Sequence, residues 1–266
     1  MKRKLLKKSN SQSDSLSNYI LPSSNRSQIT PFIIIVLVLL AGITIFLIFK
    51  DSLVVNKNIN IPADISPVYS VVNDCLQKNL IEGIDYVSQK GGYYDTPEKA
   101  IDMEIAYYLY KNQNNMPSKE KIENEISNYI NNEIQFCLND ISELGDFEIT
   151  GGEISSTTSI EEDKVSLKMN YPLSISRGEK TYSLNEFETE YKTRLGLVYN
   201  ISRQIVEEQM KDREIIPIGF LYDLGVKNNV FIKTVEYKGD VIFTITDENS
   251  KLNERALVFN FVNKYN

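Results

Sequence analysis

The twelve residues KVSLKMNYPLSI, from Lys164 to Ile175, alternate apolar and polar side chains along most of their length. Successive side chains of a β-strand point to opposite faces, so a period of two predicts a strand with one buried face. The same period runs through FEIT (147–150), GEISSTTSI (152–160) and KTYSLNEFETEYK (180–192), with turn-forming residues between the segments. Residues 147–192 therefore predict an antiparallel meander.

Helical spacing dominates the chain before this meander. Apolar residues recur every three or four positions from Pro67 to Gln89, and Gly91-Gly92 follows as a stop signal. A second helix is predicted to begin after Ser118, a residue type that favours the N-cap position. The stretch MEIAYYLYKN (103–112) between the two helices is predicted as a strand.

The chain after the meander returns to helix and then to strand. LGLVYNISRQIVEEQMKDRE (195–214) has helical spacing, and NVFIKTVEY (229–237), VIFTITD (241–247) and RALVFNFV (255–262) are predicted strands. Helices and strands grouped in separate blocks indicate an α+β fold. We expect an N-terminal transmembrane helix, followed by helices packed on a mostly antiparallel β-sheet.

The transmembrane expectation comes from RSQITPFIIIVLVLLAGITIFLIFK (26–50). The 18 residues from Phe32 to Phe49 carry no charge. As a helix they would span about 27 Å, close to the ~30 Å hydrocarbon core of a bilayer. We predict a disordered, basic and serine-rich cytoplasmic tail over 1–30, the transmembrane helix over 31–50, a juxtamembrane linker over 51–62 and an extracytoplasmic α+β domain over 63–266.

Charge asymmetry predicts the orientation. Residues 1–50 hold seven basic residues and one acidic residue, net +6, whereas residues 51–266 hold 22 basic and 35 acidic residues, net −13. Basic flanks of membrane helices stay in the cytoplasm. We therefore expect a single-pass protein of the cell membrane, with its N-terminus inside and its C-terminal domain outside. The acidic domain argues against a nucleic-acid partner, which requires a basic surface.

The junction RSQITPF (26–32) partly resembles the processing site of archaeal pilin-like precursors, which would make the chain a filament subunit. Two positions depart from that pattern. Ser27 stands where a glycine or alanine is usual, and Phe32 stands where a glutamate is usual. We therefore expect a retained anchor with Arg26 still in place.

A wider resemblance covers most of residues 28–266. It is carried by short blocks in a fixed order, which are CL (75–76), EG (82–83), QKGGY (89–93), CL (137–138), VIFTITDENS (241–250) and ALVFNFV (256–262). Together with the single N-terminal anchor, these blocks resemble a family of uncharacterised archaeal single-pass membrane proteins. The resemblance implies a location and an extracytoplasmic α+β domain, but no activity.

Several kinds of catalytic site are excluded by composition. The chain has no histidine, which excludes Ser-His-Asp and Cys-His catalysis and helical HExxH zinc sites. It has no Walker A loop, no dinucleotide-binding fingerprint and no CxxC pair. We therefore expect no cofactor, no metal ligand and no identifiable catalytic residue.

Three weak candidates remain, each with a plainer interpretation. Ser118 and Lys121 match the SxxK spacing of penicillin-recognising serine enzymes, but Ser118 also suits a helix cap. Asp247-Glu248-Asn249 offers calcium ligands, but it lacks the ligand spacing and turn glycine of an EF-hand and reads as an acidic turn. Five tyrosines offer an aromatic platform for glycan or peptide, or packing in and around a sheet. They are Tyr93, Tyr94, Tyr107, Tyr108 and Tyr110.

The two cysteines, Cys75 and Cys137, are a disulfide candidate. Each lies on the apolar face of its own predicted helix, and both would lie in an oxidising compartment outside the cell. Two buried free thiols are the alternative.

Two classes of function stay open at this point. The first is a membrane-anchored extracytoplasmic interaction or structural module, which acts on other envelope proteins or by self-assembly. The second is a cell-surface hydrolase with paired carboxylates, which need no histidine. Enzymatic activity is left undecided, with the balance towards a non-enzyme.

Overall fold

The computed structural model describes residues 34–40, 61–139, 141, 144–212 and 215–264. The chain divides into two units, Met1–Ile59 and Asn60–Asn266. In the first unit residues 34–40 are helical and exposed. The remainder of the predicted span 31–50, the predicted tail and most of the predicted linker lie outside the described residues. No helix within the described ranges is both long enough and apolar enough to cross a membrane.

The second unit has the predicted α+β composition. A single turn of 3-10 helix, Ala63–Ile65, leads into the first of the four α-helices that the described part of this unit contains. The helices are α1 (Ser66–Gln89), α2 (Lys119–Leu138), α3 (Leu195–Gln209) and α4 (Ile218–Asn228). The strands are β1 (Tyr107–Tyr110), β2 (Gln113–Asn114), β3 (Glu148–Gly151), β4 (Ser155–Ile160), β5 (Lys164–Arg177), β6 (Lys180–Lys192), β7 (Phe231–Tyr237), β8 (Asp240–Leu252) and β9 (Arg255–Lys264).

The strands form two sheets rather than the one sheet that we expected. The first sheet has the order β2-β1-β9-β8-β7, and all its pairs are antiparallel except β1 with β9. The second sheet is the predicted meander with β5 at its centre. β3 and β4 pair end to end along one side of β5, because β6 occupies the other side at the same residues. Most pairs are therefore antiparallel, as predicted.

Pro172 lies in the central strand of the second sheet, where a proline removes a ladder hydrogen bond. The structure accommodates it at a register shift between Asn170 and Leu173. The backbone N–H of Gly152, between β3 and β4, donates to the carbonyl of Pro172 at 2.8 Å. The proline thus marks the point where the partner of β5 changes from β4 to β3.

Helix α1 contacts both sheets. It packs against α2 on one side and reaches β6 of the second sheet and β9 of the first. Its buried face includes Val68, Val72, Leu76, Leu80 and Ile84, all of which belong to one continuous core. Burial of such side chains contributes about 1.5–3 kcal/mol each, so α1 is the main element that joins the two sheets.

The predicted stop at the end of α1 is confirmed. Gly91 and Gly92 have φ of +75° and +91°, a region that residues with a Cβ rarely adopt. A Cβ on Gly92 would lie 2.8 Å from Cγ1 of Ile122 on α2. Glycine is therefore needed here both for the backbone conformation of the turn and for the close approach of this turn to α2.

Helix α4 has no counterpart among the sequence predictions. Gly219 and Gly225 interrupt its sequence, and glycine costs about 1 kcal/mol relative to alanine inside a helix. Gly225 is required by packing, because a Cβ there would lie 3.0 Å from the carbonyl oxygen of Val230. Tertiary contact thus overrides a weak local propensity.

The predicted disulfide is confirmed: Cys75 on α1 is bonded to Cys137 on α2, with a Cα–Cα distance of 5.8 Å. The bond closes a loop with a sequence separation of 62 residues. It links α1 and α2 covalently, and the buried faces of these two helices form much of the core.

Reduction of this bond is predicted to lower the free energy of unfolding by about 4 kcal/mol, because the unfolded chain regains the entropy of an open loop. The measurement is urea unfolding of the purified chain with and without reductant. The double variant C75A/C137A serves as the control and should be insensitive to reductant. Equal stability of the wild-type chain in both conditions would contradict the prediction.

Candidate functional site

A cleft of about 550 Å³ lies beside β1 and the C-terminal end of β9, at one edge of the first sheet. Its walls come from two distant parts of the sequence, the segment before and through the β1–β2 hairpin and the last residue of β9. The lining residues are Glu98, Lys99, Ala100, Tyr107, Tyr110, Lys111, Gln113 and Lys264. We call this feature the lysine–tyrosine cleft.

The hairpin turn between β1 and β2 presents one of the three lysines. Tyr110 pairs with Gln113, and the two residues between them, Lys111 and Asn112, have φ of +46° and +63°. Two positive φ values are typical of a type I′ turn, for which Asn-Gly is the usual sequence. A lysine in this conformation costs about 1–2 kcal/mol. The turn holds the Lys111 ammonium 5.4 Å from the ring centroid of Tyr110.

A buried carboxylate supports the floor of the cleft. Asp240 begins β8, is the cross-strand partner of Lys264 and is only 6 % exposed. Its Oδ2 accepts a hydrogen bond of 2.6 Å from the Tyr107 hydroxyl, and its Oδ1 lies 3.5 Å from Nζ of Lys264. Burial, and then the bond to Asp240, raises the pKa of Tyr107, so this hydroxyl stays protonated and keeps donating. Asp240 therefore positions both Tyr107 and Lys264.

The aromatic part of the cleft consists of two tyrosines. The ring centroids of Tyr107 and Tyr110 are 5.0 Å apart and their planes meet at 51°. Nζ of Lys264 lies 5.8 Å from the Tyr110 centroid, so ammonium groups of Lys111 and Lys264 both lie close to this ring.

The lining of the cleft carries a local excess of positive charge. The lining includes three lysines, Lys99, Lys111 and Lys264, and one acid, Glu98. Residues 51–266 as a whole hold 35 acidic and 22 basic residues. Ammonium groups beside aromatic rings suit a ligand that combines negative charge with an apolar or sugar face.

The cleft divides the five candidate tyrosines into separate environments. Tyr107 and Tyr110 line it, whereas Tyr108 is fully buried, stacks on Phe261 at 4.7 Å and donates to the carbonyl of Gly91. Tyr94 bonds Glu133 on α2 instead. The platform of five tyrosines is therefore not formed. The adjacent residues Tyr107 and Tyr108 face opposite sides of the sheet, and Tyr110 joins Tyr107 beyond a register shift between Tyr107 and Leu109.

Ser118 and Lys121 do not form a catalytic pair. The Ser118 hydroxyl accepts a hydrogen bond of 3.2 Å from the backbone N–H of Lys121, as an N-cap does. The Lys121 ammonium pairs with Glu125, a buried carboxylate that also accepts from the backbone N–H of Tyr94. The plainer interpretation of the SxxK match is confirmed.

Asp247 is fully buried and is held by protein groups rather than exposed to an ion. Arg194 forms a two-pronged ion pair with it, Ser250 donates to it at 2.7 Å and the backbone N–H of Asn249 donates at 3.0 Å. Burial alone would raise the pKa of Asp247, but these bonds together lower it. Among the described residues no three acids or cysteines cluster closely enough to hold a metal.

The same Arg194 guanidinium donates to the carbonyls of Asn228 and Asn229, each at 3.2 Å. One arginine thus connects the start of α3, the end of α4 and the irregular part of β8. The polar residues at the end of the block VIFTITDENS (241–250), namely Asp247, Asn249 and Ser250, therefore have a structural role in this network.

Compared with protein-family models, with curated proteins and with solved structures, the chain matches none of them. The interpretation of its function therefore depends on its own residues. Lys111, Asp240 and Lys264 escaped the sequence analysis. Lys111 lies within the stretch 103–112 that was predicted as a strand, and Asp240 and Lys264 lie just outside the predicted strands 241–247 and 255–262, so no sequence signal marked these three residues.

The Asp247 network generates a stability prediction. Asp247→Ala should lower the free energy of unfolding by about 3 kcal/mol, because it leaves Arg194 without its partner in a partly buried position. Since the pKa of Asp247 is lowered in the folded state, the difference should be complete at neutral pH and shrink as the pH falls below about 4.

The exposed neighbour Glu248 provides the matched control for urea unfolding, and Glu248→Ala should change stability by less than about 0.5 kcal/mol. Comparable losses for the two variants would show that the network is not a source of stability.

Proposed function

We propose that the chain is a membrane-anchored extracytoplasmic binding module. Its location and its relation to archaeal single-pass membrane proteins are those that the sequence resemblance implies. The uncharged run from Phe32 to Phe49 and the charge difference of +6 against −13 support a single span with the N-terminus inside. The Cys75–Cys137 bond supports the same location, since disulfides persist in oxidising compartments.

The observation that carries the binding proposal is the lysine–tyrosine cleft. Its three ammonium groups, two tyrosine rings and one buried supporting carboxylate form a concave, cationic and aromatic site on an otherwise acidic domain. We propose that it binds an acidic saccharide at the cell surface. A sugar ring packs on the half-buried Tyr110, carboxylate groups pair with Lys111 and Lys264, and Glu98 and Gln113 supply acceptors and donors for hydroxyl groups.

The conformation of Lys111 is one that this domain also uses in other hairpin turns, since Lys238 and Glu254 have φ of +54° and +69°. Asparagine or glycine would fit the Lys111 position at lower cost. The turn matters to the proposal because it places the Lys111 ammonium beside the Tyr110 ring.

The alternative of a hydrolase with paired carboxylates has less support. A general acid in such an enzyme needs a raised pKa. Among the described residues, the carboxyl groups with a displaced pKa are those of Asp64, Asp102, Glu120 and Asp247, and in each the displacement is downward. The filament alternative depends on residues outside the described ranges and remains a prediction about processing.

The proposed topology predicts the outcome of proteolysis on intact cells. External protease should degrade the domain from about residue 63 onward, and mass spectrometry of the native chain should find Arg26 retained. Protection of the domain until lysis would refute the orientation. A mature chain that begins at Gln28 would make the filament subunit the better hypothesis.

The binding proposal predicts that the full chain in detergent binds oligogalacturonate, measured by calorimetry. Lys264→Met should weaken binding about five- to tenfold through loss of one charged contact. Lys111→Asn should weaken it similarly while leaving stability unchanged or slightly higher, because asparagine tolerates the turn.

Three controls make this experiment decisive. Lys168→Met, an exposed lysine on β5, should leave binding unchanged. Neutral oligogalactose should bind more weakly than oligogalacturonate. Equal binding by the wild-type chain and the Lys264 variant would overturn the proposal, as would preference for an oligoglutamate peptide, which would indicate an acidic polypeptide ligand instead.

A further inference from the structure

The two edge strands of the first sheet differ in length. At one edge is β2, a strand of only two residues. At the other is β7, seven residues long, which among the described residues pairs only with β8 and does so without a bulge. A long, regular edge exposes a row of backbone N–H and C=O groups that can pair with another strand.

Strand β7 has only light protection as an edge strand. It contains no proline, and its two charges, on Lys233 and Glu236, point to opposite faces of the sheet. The free edge of the second sheet shows the contrast, because β6 carries glutamates at the alternate positions 186, 188 and 190. Charge of that kind discourages edge-to-edge pairing.

Exposed apolar side chains surround the β7 edge. Phe231 on β7 and Ile218, Tyr222 and Val226 on α4 are between 61 and 70 % exposed. The three α4 residues are four positions apart and therefore form one stripe along the helix. Phe231 faces the side of the sheet opposite to Ile232, against which α4 packs, so Phe231 and the α4 stripe are two separate exposed apolar surfaces near β7. Exposed apolar surfaces of this kind mark interaction sites.

We propose that β7 pairs antiparallel with β7 of a second copy of this chain, about a two-fold axis through Thr234. The two five-stranded sheets then form one continuous sheet of ten strands. A two-fold axis perpendicular to a sheet keeps each side chain on its original face. Since α4 packs towards Ile232, the α4 helices of both copies lie on the same face of the joined sheet.

The ends and the centre of β7 are complementary to themselves in this register, whereas Ile232 lies opposite Glu236 of the second copy. Phe231 lies opposite Tyr237 of the second copy, and this aromatic pair occurs twice. Thr234 lies opposite Thr234, and Lys233 lies opposite Val235. Aromatic and threonine pairs of this kind stabilise antiparallel sheets.

The neighbouring registers are less favourable. A two-fold axis through Lys233 would place two lysines directly opposite each other, which is destabilising. An axis through Val235 would move Phe231 beyond the end of the opposing strand. The occupant of this edge must offer both a free strand and apolar side chains, and a second copy supplies both.

Disulfide trapping tests the register directly. The only two cysteines of the chain are bonded to each other, so Thr234→Cys introduces a single free thiol. Directly opposite residues of antiparallel strands have Cα atoms about 4.5–5.5 Å apart, within the range of a disulfide. Mild oxidation of the full chain in detergent should give a covalent dimer on a non-reducing gel.

Thr181→Cys is the matched control, because Thr181 is an exposed threonine on β6, the free edge of the second sheet. It should give little dimer under the same conditions. Equal dimer yields from the two variants would overturn the proposal, because they would indicate random collision or contact through another part of the chain.

A charge pair at position 235 provides an independent test by analytical ultracentrifugation. Val235 lies opposite Lys233 of the second copy, so Val235→Glu creates two ion pairs and Val235→Lys creates two repulsive pairs. Dimerisation of the Val235→Lys chain should be about tenfold weaker than that of the Val235→Glu chain. A monomeric wild-type chain, or equal association of the two variants, would refute the pairing.

Discussion

The burial of α1 is the interaction on which the rest of the domain depends. This helix packs against β6 of one sheet, β9 of the other and α2, to which Cys75 ties it covalently. Neither sheet contributes a strand to the other, so their common core depends on α1 and its neighbours. Loss of apolar contact along α1 would therefore affect both sheets together.

The exit from α1 also determines where the lysine–tyrosine cleft forms. After Gly91 and Gly92 the chain returns to the helix end, where the backbone N–H of Ala106 donates to the carbonyl of Lys90 at 3.3 Å. The N–H of Val262 then donates to the carbonyl of Ala106, which brings β1 alongside β9. This parallel pairing places Tyr107 over Asp240 and next to Lys264. The glycines that end a helix thus position a site whose residues begin at Glu98 and extend to Lys264.

The two proposed surfaces lie at opposite edges of the same sheet. The cleft is beside β1 and β2, and the proposed pairing surface is β7. Pairing through β7 would leave a cleft at each far edge of a ten-stranded sheet, free to bind one ligand each. A ligand with repeated acidic units would then engage two clefts, and linked binding of this kind raises avidity without new contacts.

Local pattern in the sequence determined the secondary structure of α1, α2, α3 and most strands, and with them the α+β class. These elements follow from side-chain periodicity and from local signals such as the Ser118 cap and the Gly91-Gly92 stop, which need no distant partner. The tertiary structure alone decided that there are two sheets, that β1 runs parallel to β9 and that α4 is helical in spite of Gly219 and Gly225. The candidate site was also decided by the tertiary structure. Lys111 and Lys264 lie more than a hundred residues apart in the sequence, and only strand pairing brings them and Asp240 together. Pairing between distant strands depends on which faces can be buried together, a property of the whole domain that no local pattern contains.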